Sequence, residues 1–345
     1  MSYTKGTLIA ALACCLALPA CFDSSSNGQR EAFVPESITL GSMPRDAALA
    51  LTADSDLPDS ADIDYTGQYV LTETSTGIVI EGELTREGIL EAMAETISGR
   101  LEYRYEDNGL LGSYLVTYDD EYVRDNYRIS YGFSGDAMVR RTVMDLGDSE
   151  ASTPYLMTLI AGEPVEGGLL FRQYSYQEED GYGADHDESS DEIDDLMEAR
   201  FDGQGRLAAQ VFYDTTDPAE ALPEDARSVV TFEYDDSGRV TAQRFFIFSG
   251  DSFDGDLDAL DTEHAAYDGA YLIIYDADGN ERYWIRDFLG EECLFAAFSW
   301  KRQALSPQAA AFMDDEVRLV DAHPEWYYFF ASTVPLWAFL LGGPF

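Results

Sequence analysis

Apart from its carboxylates, this chain has few residues able to do chemistry. It holds three histidines (His186, His264, His323), four cysteines (Cys14, Cys15, Cys21, Cys293) and 66 Asp and Glu. No histidine is spaced from another histidine or a cysteine as zinc ligands are. His-Glu-x-x-His, P-loop, Gly-x-Ser-x-Gly and dinucleotide fingerprints are all absent. Gly147-Asp148-Ser149 and Gly250-Asp251-Ser252 share the form of an esterase nucleophile block. That block belongs near a domain start, and both triplets read as surface turns. With so many carboxylates, a pair at glycosidase separation follows from numbers alone and carries no information. Calcium is the better chemical candidate. Asp254, Asp256 and Asp258 alternate along Asp-Gly-Asp-Leu-Asp, as calcium-loop carboxylates do. The rest of an EF-hand is missing: Ala259 and Ala265 stand where its glycine and bidentate glutamate belong. A solvated acidic loop is therefore the default. No cofactor is expected, and the chain reads as a non-enzyme.

The charge balance excludes some partners. Lys and Arg number 21 and the net charge is −45. Phosphate backbones need concentrated positive charge, so nucleic acid is not a partner. The same imbalance opposes electrostatic adhesion to anionic lipid. The acids are spread along the chain, as in a surface kept soluble by self-repulsion. A hydrophobic content of 46% and an aromatic content of 13%, rich in Tyr and Phe, describe a folding chain that favours β structure.

Location is written in the first residues. Lys5 precedes an apolar run, Gly6–Ala20, which is a secretory signal in form and too short to span a bilayer. It ends in Leu18-Pro19-Ala20-Cys21, which resembles the lipobox of bacterial lipoproteins, with Pro19 departing from the usual small or aliphatic residue. The resemblance implies cleavage before Cys21, diacylation of its thiol and acylation of the new amino terminus. It also implies a membrane anchor in a Gram-negative envelope, the outer membrane ahead of the inner. Cys14 and Cys15 leave with the signal, so Cys293 stands alone and reads as a small buried hydrophobe.

Residues 1–20 are thus the signal, 21–61 a tether rich in polar residues at its start, and 62–345 a globular domain. Within that domain, 68–74 and 77–84 read as a hairpin. Strands are expected at 101–105, 114–118, 127–133, 137–143, 155–160 and 169–176. Helices are expected at 85–98, capped by Thr85, and at 307–322 after Ser306-Pro307; a capping-box spacing at Ser189 and Glu192 suggests another helix start. Trp326–Phe345 carries no charge. It is read as core, as a membrane-interface segment, or as the dock for an envelope protein or lipid partner.

One short motif recurs four times: Tyr105 to Gly109, Phe201 to Gly205, Tyr234 to Gly238 and Tyr275 to Gly279. Each is an aromatic, an acid, two small or polar residues and a glycine, between strand-like stretches. The acid can accept the turn's own amides, and the glycine can take a positive φ, which makes a tight hairpin with a bulge. Tyr234-Asp235-Asp236-Ser237-Gly238-Arg239-Val240 resembles in full a YD repeat of the Rhs type, and Phe201 to Leu207 does so with Phe for Tyr. The copies at 105 and 275 lack the arginine. The resemblance implies a β-sheet scroll or shell with a structural or binding role. The expected fold is mainly β: an antiparallel meander of hairpins, as a curved sheet or open half-barrel, with a few covering helices. The expected function is a non-catalytic envelope module, the alternative being a periplasmic carrier of lipid or another hydrophobic ligand, and an envelope hydrolase ranking third because three scattered histidines give a serine or carboxylate little support.

Overall fold

The computed structural model describes residues 29–313 except 76, 87–95, 106–110, 119–121, 135–136, 147–155, 166–167, 178–192, 219–224, 249–252, 254, 258–259, 261–266, 288–289 and 311–312. Sixteen strands run as an antiparallel meander: β1 (Arg30–Pro44), β2 (Asp62–Glu73), β3 (Gly77–Arg86), β4 (Thr96–Tyr105), β5 (Leu111–Tyr118), β6 (Tyr122–Ser134), β7 (Ala137–Asp145), β8 (Leu156–Val165), β9 (Gly168–Gln177), β10 (Asp195–Phe201), β11 (Leu207–Tyr213), β12 (Ala226–Tyr234), β13 (Val240–Ile247), β14 (Tyr267–Tyr275), β15 (Glu281–Asp287) and β16 (Glu292–Leu305). A short helix, α1 (Arg45–Leu49), follows β1.

The sheet is closed. β1 pairs with β2 on one side and with β16 on the other, so the open sheet or half-barrel expected from the sequence is overturned. At the closing seam the hydroxyls of Ser37 and Ser299 lie 2.6 Å apart. The seam has a bulge between Pro35 and Ser37, where a residue without an amide hydrogen interrupts the ladder least. The expected tether is also shorter, because β1 and the segment after it belong to the folded body from Arg30 onward.

Alternation along the strands sorts the side chains onto two faces. On the first lie Tyr69, Leu71, Ile78, Ile80, Leu101, Tyr103 and Ile129, and further round Phe171, Met197, Val230 and Ile273, all nearly sealed from solvent. Trp284 packs against both of the clusters that these residues form, which joins them across β15. On the opposite face of β3, β4, β8 and β9 lie Glu81, Arg100, Glu102, Arg104, Glu163 and Arg172, with ion pairs Arg100–Glu81 at 3.3 Å and Arg172–Glu163 at 2.6 Å. Only the concave side of a closed wall encloses its residues on every strand. The apolar face is therefore the interior, and the charged face is the outer wall.

From β10 round to β1 the outer face carries apolar clusters among its charges, and two excursions cover them. Residues 47–61 bring Ala48, Leu51 and Leu57 onto Met43, Ile285, Cys293 and Phe295. Phe253, Leu257 and Leu260 pack onto Leu196, Val211, Val229 and Phe246. The covers are thus loops and the short α1, where longer helices at 85–98 and 307–322 were expected. After β16, Leu305, Ala309 and Ala310 join the interior cluster, and the Ser306 Oγ accepts the Ala309 amide at 3.1 Å as a helical turn begins.

Of the expected helices, 85–98 is corrected at both ends, where residues 85–86 and 96–98 are strand; residues 87–95 lie outside the described residues. The helix start suggested at Ser189 and Glu192 is not followed by a helix through Leu196 and Met197, which belong to β10. The helix from 307 is present over residues 307–310, and most of its remainder lies outside the described residues.

Candidate functional site

Three turns at one rim of the barrel carry the most organised polar chemistry among the described residues. In the turn between β12 and β13, Asp235 Oδ1 accepts the amides of Ser237 at 2.8 Å and Arg239 at 3.0 Å, and its Oδ2 accepts Arg239 Nε at 2.8 Å. Asp202 does the same for Gln204 and Arg206 between β10 and β11. Asp276 holds Asp278 and Asn280 between β14 and β15, with Asn280 in place of the arginine. The glycine of each turn sits at positive φ, for example 84° at Gly238. Each ladder shifts register at the motif's aromatic residue, including Tyr105, whose turn lies outside the described residues.

The turns interlock. The Arg206 guanidinium lies 4.6 Å from the Tyr234 ring centroid, and the Tyr234 hydroxyl donates to the Leu207 carbonyl at 2.8 Å. Arg239 lies 4.4 Å from the Tyr275 ring, and the Tyr275 hydroxyl donates to the Val240 carbonyl at 2.9 Å. The third step ends differently: Trp300 Nε1 of β16 donates to the Glu281 carbonyl at 2.7 Å. The acceptor is in each case the fifth residue after the turn aspartate. The motif is thus a device that fastens each hairpin to the next. Tyr275→Phe removes one fastener and keeps the ring, so urea unfolding should report a loss of about 1 kcal/mol.

Burial opposes the ionised forms of Asp202 and Asp235, but the hydrogen bonds and charges of Arg206 and Arg239 win and hold both carboxyls below their ordinary range. Arg45, bound to Asp287 by two hydrogen bonds of 2.8 and 2.9 Å, lowers that carboxyl as well. A depressed folded-state pKa contributes stability that is present above the unfolded value and is lost as pH falls through the folded one. The melting temperature of the wild type should therefore lose its advantage over Asp235→Asn progressively as pH falls below the ordinary carboxylate value of 3.8. Taking the difference between the two cancels the repulsion that protonation of the other acids relieves.

On the outer wall, Arg200 donates to Glu198 at 3.0 Å and to the Gly255 carbonyl at 3.1 Å, and lies 5.6 Å from the Phe253 ring. Tyr213 donates to the same Glu198 at 2.5 Å. Burial first, then Glu198, raises the Tyr213 phenol above its usual value, so it stays protonated. This cluster pins the second covering excursion to the wall.

Cys21, Asp254, Asp258, the three histidines, both Gly-Asp-Ser triplets and Trp326–Phe345 lie outside the described residues. Asp256 is exposed, and the carbonyl beside it at Gly255 is taken by Arg200. Among the described residues no group of His, Cys, Asp or Glu could hold a metal ion. Cys293 is buried, and burial together with Asp287 pushes its thiol up to about 11, which leaves it protonated and unreactive at neutral pH. A shallow polar cleft of about 290 Å³ lies between Asp54–Asp56 and the Asp276, Arg282 and Trp300 region, with neither a histidine nor a cysteine in its lining. Sequence reasoning missed Gln210. It points into the interior, is fully buried, and its carboxamide oxygen and nitrogen have no hydrogen-bond partner among the described residues. Its place at the centre of an apolar strand, LAAQVFY, was the available signal.

No family model matches this chain, and no curated protein does. Among solved structures it is similar to a porin-like protein from Bacteroides uniformis, at 9% identity and a TM-score of 0.30, covering 77% of this chain and 98% of that one. A likeness that distant carries no argument about function. The wall itself is more informative. A lipid-facing barrel needs an apolar outer band about 25 Å tall. Here Glu81, Arg100 and Arg172 stand in the middle of their strands on the outer side. No helix among the described residues is long and apolar enough to cross a membrane.

Proposed function

We propose that this chain is a non-catalytic lipoprotein of a Gram-negative envelope, held by acyl groups on Cys21, with its barrel acting as an interaction or structural module. The observation that carries this reading is the pairing of a sealed apolar interior with an outer wall that bears charges on β3, β4, β8 and β9 and covers its apolar clusters with its own excursions. A barrel built that way has no surface for hydrocarbon and reaches a membrane through its anchor. A carrier of lipid would need an open apolar lumen, whereas the interior-face residues Ile78, Leu101 and Phe171 are at most 1% exposed. The outer membrane is favoured over the inner. Trp326–Phe345 supplies an uncharged stretch suited to an envelope protein or lipid partner.

The test is metabolic labelling with a palmitate analogue in a Gram-negative host, comparing wild type with Cys21→Ala. Wild type should carry label, fractionate with membranes and shift to the soluble fraction after Cys21→Ala. Unlabelled wild type, or a Cys21→Ala protein that stays labelled and membrane-bound, overturns the reading.

A further inference from the structure

We propose that the anchored barrel stands on its short-turn rim against the bilayer and points its long-connection rim away from it. The inference rests on the lipid-anchor reading and adds an orientation to it. In an antiparallel meander, alternate connections fall on opposite rims. The turns after β2, β4, β6, β8, β10, β12 and β14 share one rim with the start of β1 at Arg30 and the end of β16 at Leu305. The connections after β1, β3, β5, β7, β9, β11, β13 and β15 share the other.

Two independent features point the same way. The first is reach. Cys21 precedes Arg30 by nine residues, and a fully extended chain of that length spans about 30 Å. The rim where β1 begins is therefore the end of the barrel held close to the acyl groups. The second is charge. Leaving aside the two connections that fold over the outer wall, the other six on that rim hold 23 of the chain's 66 acids and no arginine or lysine. The short turns hold only nine acids, and Asp202 and Asp235 among these are paired with Arg206 and Arg239. Within a Debye length of about 10 Å, an anionic membrane surface repels the long-connection rim more strongly than the other. The partner of the short-turn rim is thus the lipid surface itself, and the acidic rim is left facing the aqueous side.

The test uses full-length acylated protein in vesicles of phosphatidylethanolamine and phosphatidylglycerol that carry a headgroup-linked quencher. One variant, Ser237→Cys, places a fluorophore on an exposed short turn; another, Thr216→Cys, places it on an exposed long connection. Cys293 is buried and Cys21 is blocked by lipid, so each variant labels at one site. The label at 237 should be quenched several-fold more than the label at 216. Equal quenching, or stronger quenching at 216, in protein whose intact mass shows the acyl groups overturns the orientation and leaves the anchor reading standing. An intact mass without acyl groups overturns the anchor reading and the orientation with it.

Discussion

Gly77→Ala is expected to destabilise the barrel by about 3 kcal/mol, a large loss for a change of one methyl group. Gly77 opens β3 opposite Arg104, and a Cβ built on it overlaps the Tyr103 carbonyl oxygen of β4. The obstacle is backbone, so no rotamer change relieves it. Either the β3–β4 ladder loses its first pairs or the strand shifts, and Ile78 and Ile80 leave the interior cluster with it. Gly203→Ala is the control, because a Cβ there meets nothing within 4 Å; its stability should stay within about 0.5 kcal/mol of wild type. Urea unfolding of the two variants gives the comparison. Wild-type stability in Gly77→Ala would mean that the two strands lie farther apart than the structure has them.

Gln210→Met is expected to act in the opposite direction. The wild-type carboxamide sits between Ala199 and Val230 on the interior face, and its two polar atoms are buried without partners among the described residues. Leaving such groups unpaired forfeits their hydration with nothing in return. An apolar side chain of similar volume removes that penalty, so stability should rise by about 1–2 kcal/mol and the melting temperature by roughly 2–6 °C. A clear fall in melting temperature would show that the carboxamide has an interior partner, and that the barrel holds a polar molecule beside β11.

The features that proved legible in the sequence are those whose cause is local. The turns around Asp202, Asp235 and Asp276 are complete within five residues, so side-chain type and spacing suffice to identify them. The hairpin of β2 and β3 was legible because its outer wall is exposed, so that Gln68 and Thr72 alternate with Tyr69 and Leu71. That alternation fails where both faces are covered. In β10, Leu196 packs outward beneath the second excursion while Met197 packs inward, and the apolar pair reads as a helix start. β1 was hidden differently: Pro35 and its bulge break the period between Val34 and Ile38. Closure was out of reach, because β1 meets β16 through pairs such as Leu40 with Ala296, which no neighbouring residue specifies. The interlock of Arg239 with Tyr275 depends on a neighbour 36 positions along the chain, although the recurring aromatic and arginine were visible signs of it.

The seam between β1 and β16 also sets an order of events in time. A chain leaves the ribosome amino terminus first, so β1 is among the earliest strands available and β16 among the latest. Ser37 must wait for Ser299, 262 residues behind it, before its hydroxyl finds a partner. During that wait β1 can pair with β2 on one edge while the other offers free amides and carbonyls to any passing strand. On that waiting edge lie Pro35, which lacks an amide hydrogen, the bulge beside it, and the exposed charges of Glu31 and Glu36. The irregularity that obscures β1 in the sequence thus protects the newborn chain from pairing with a stranger before its own last strand arrives.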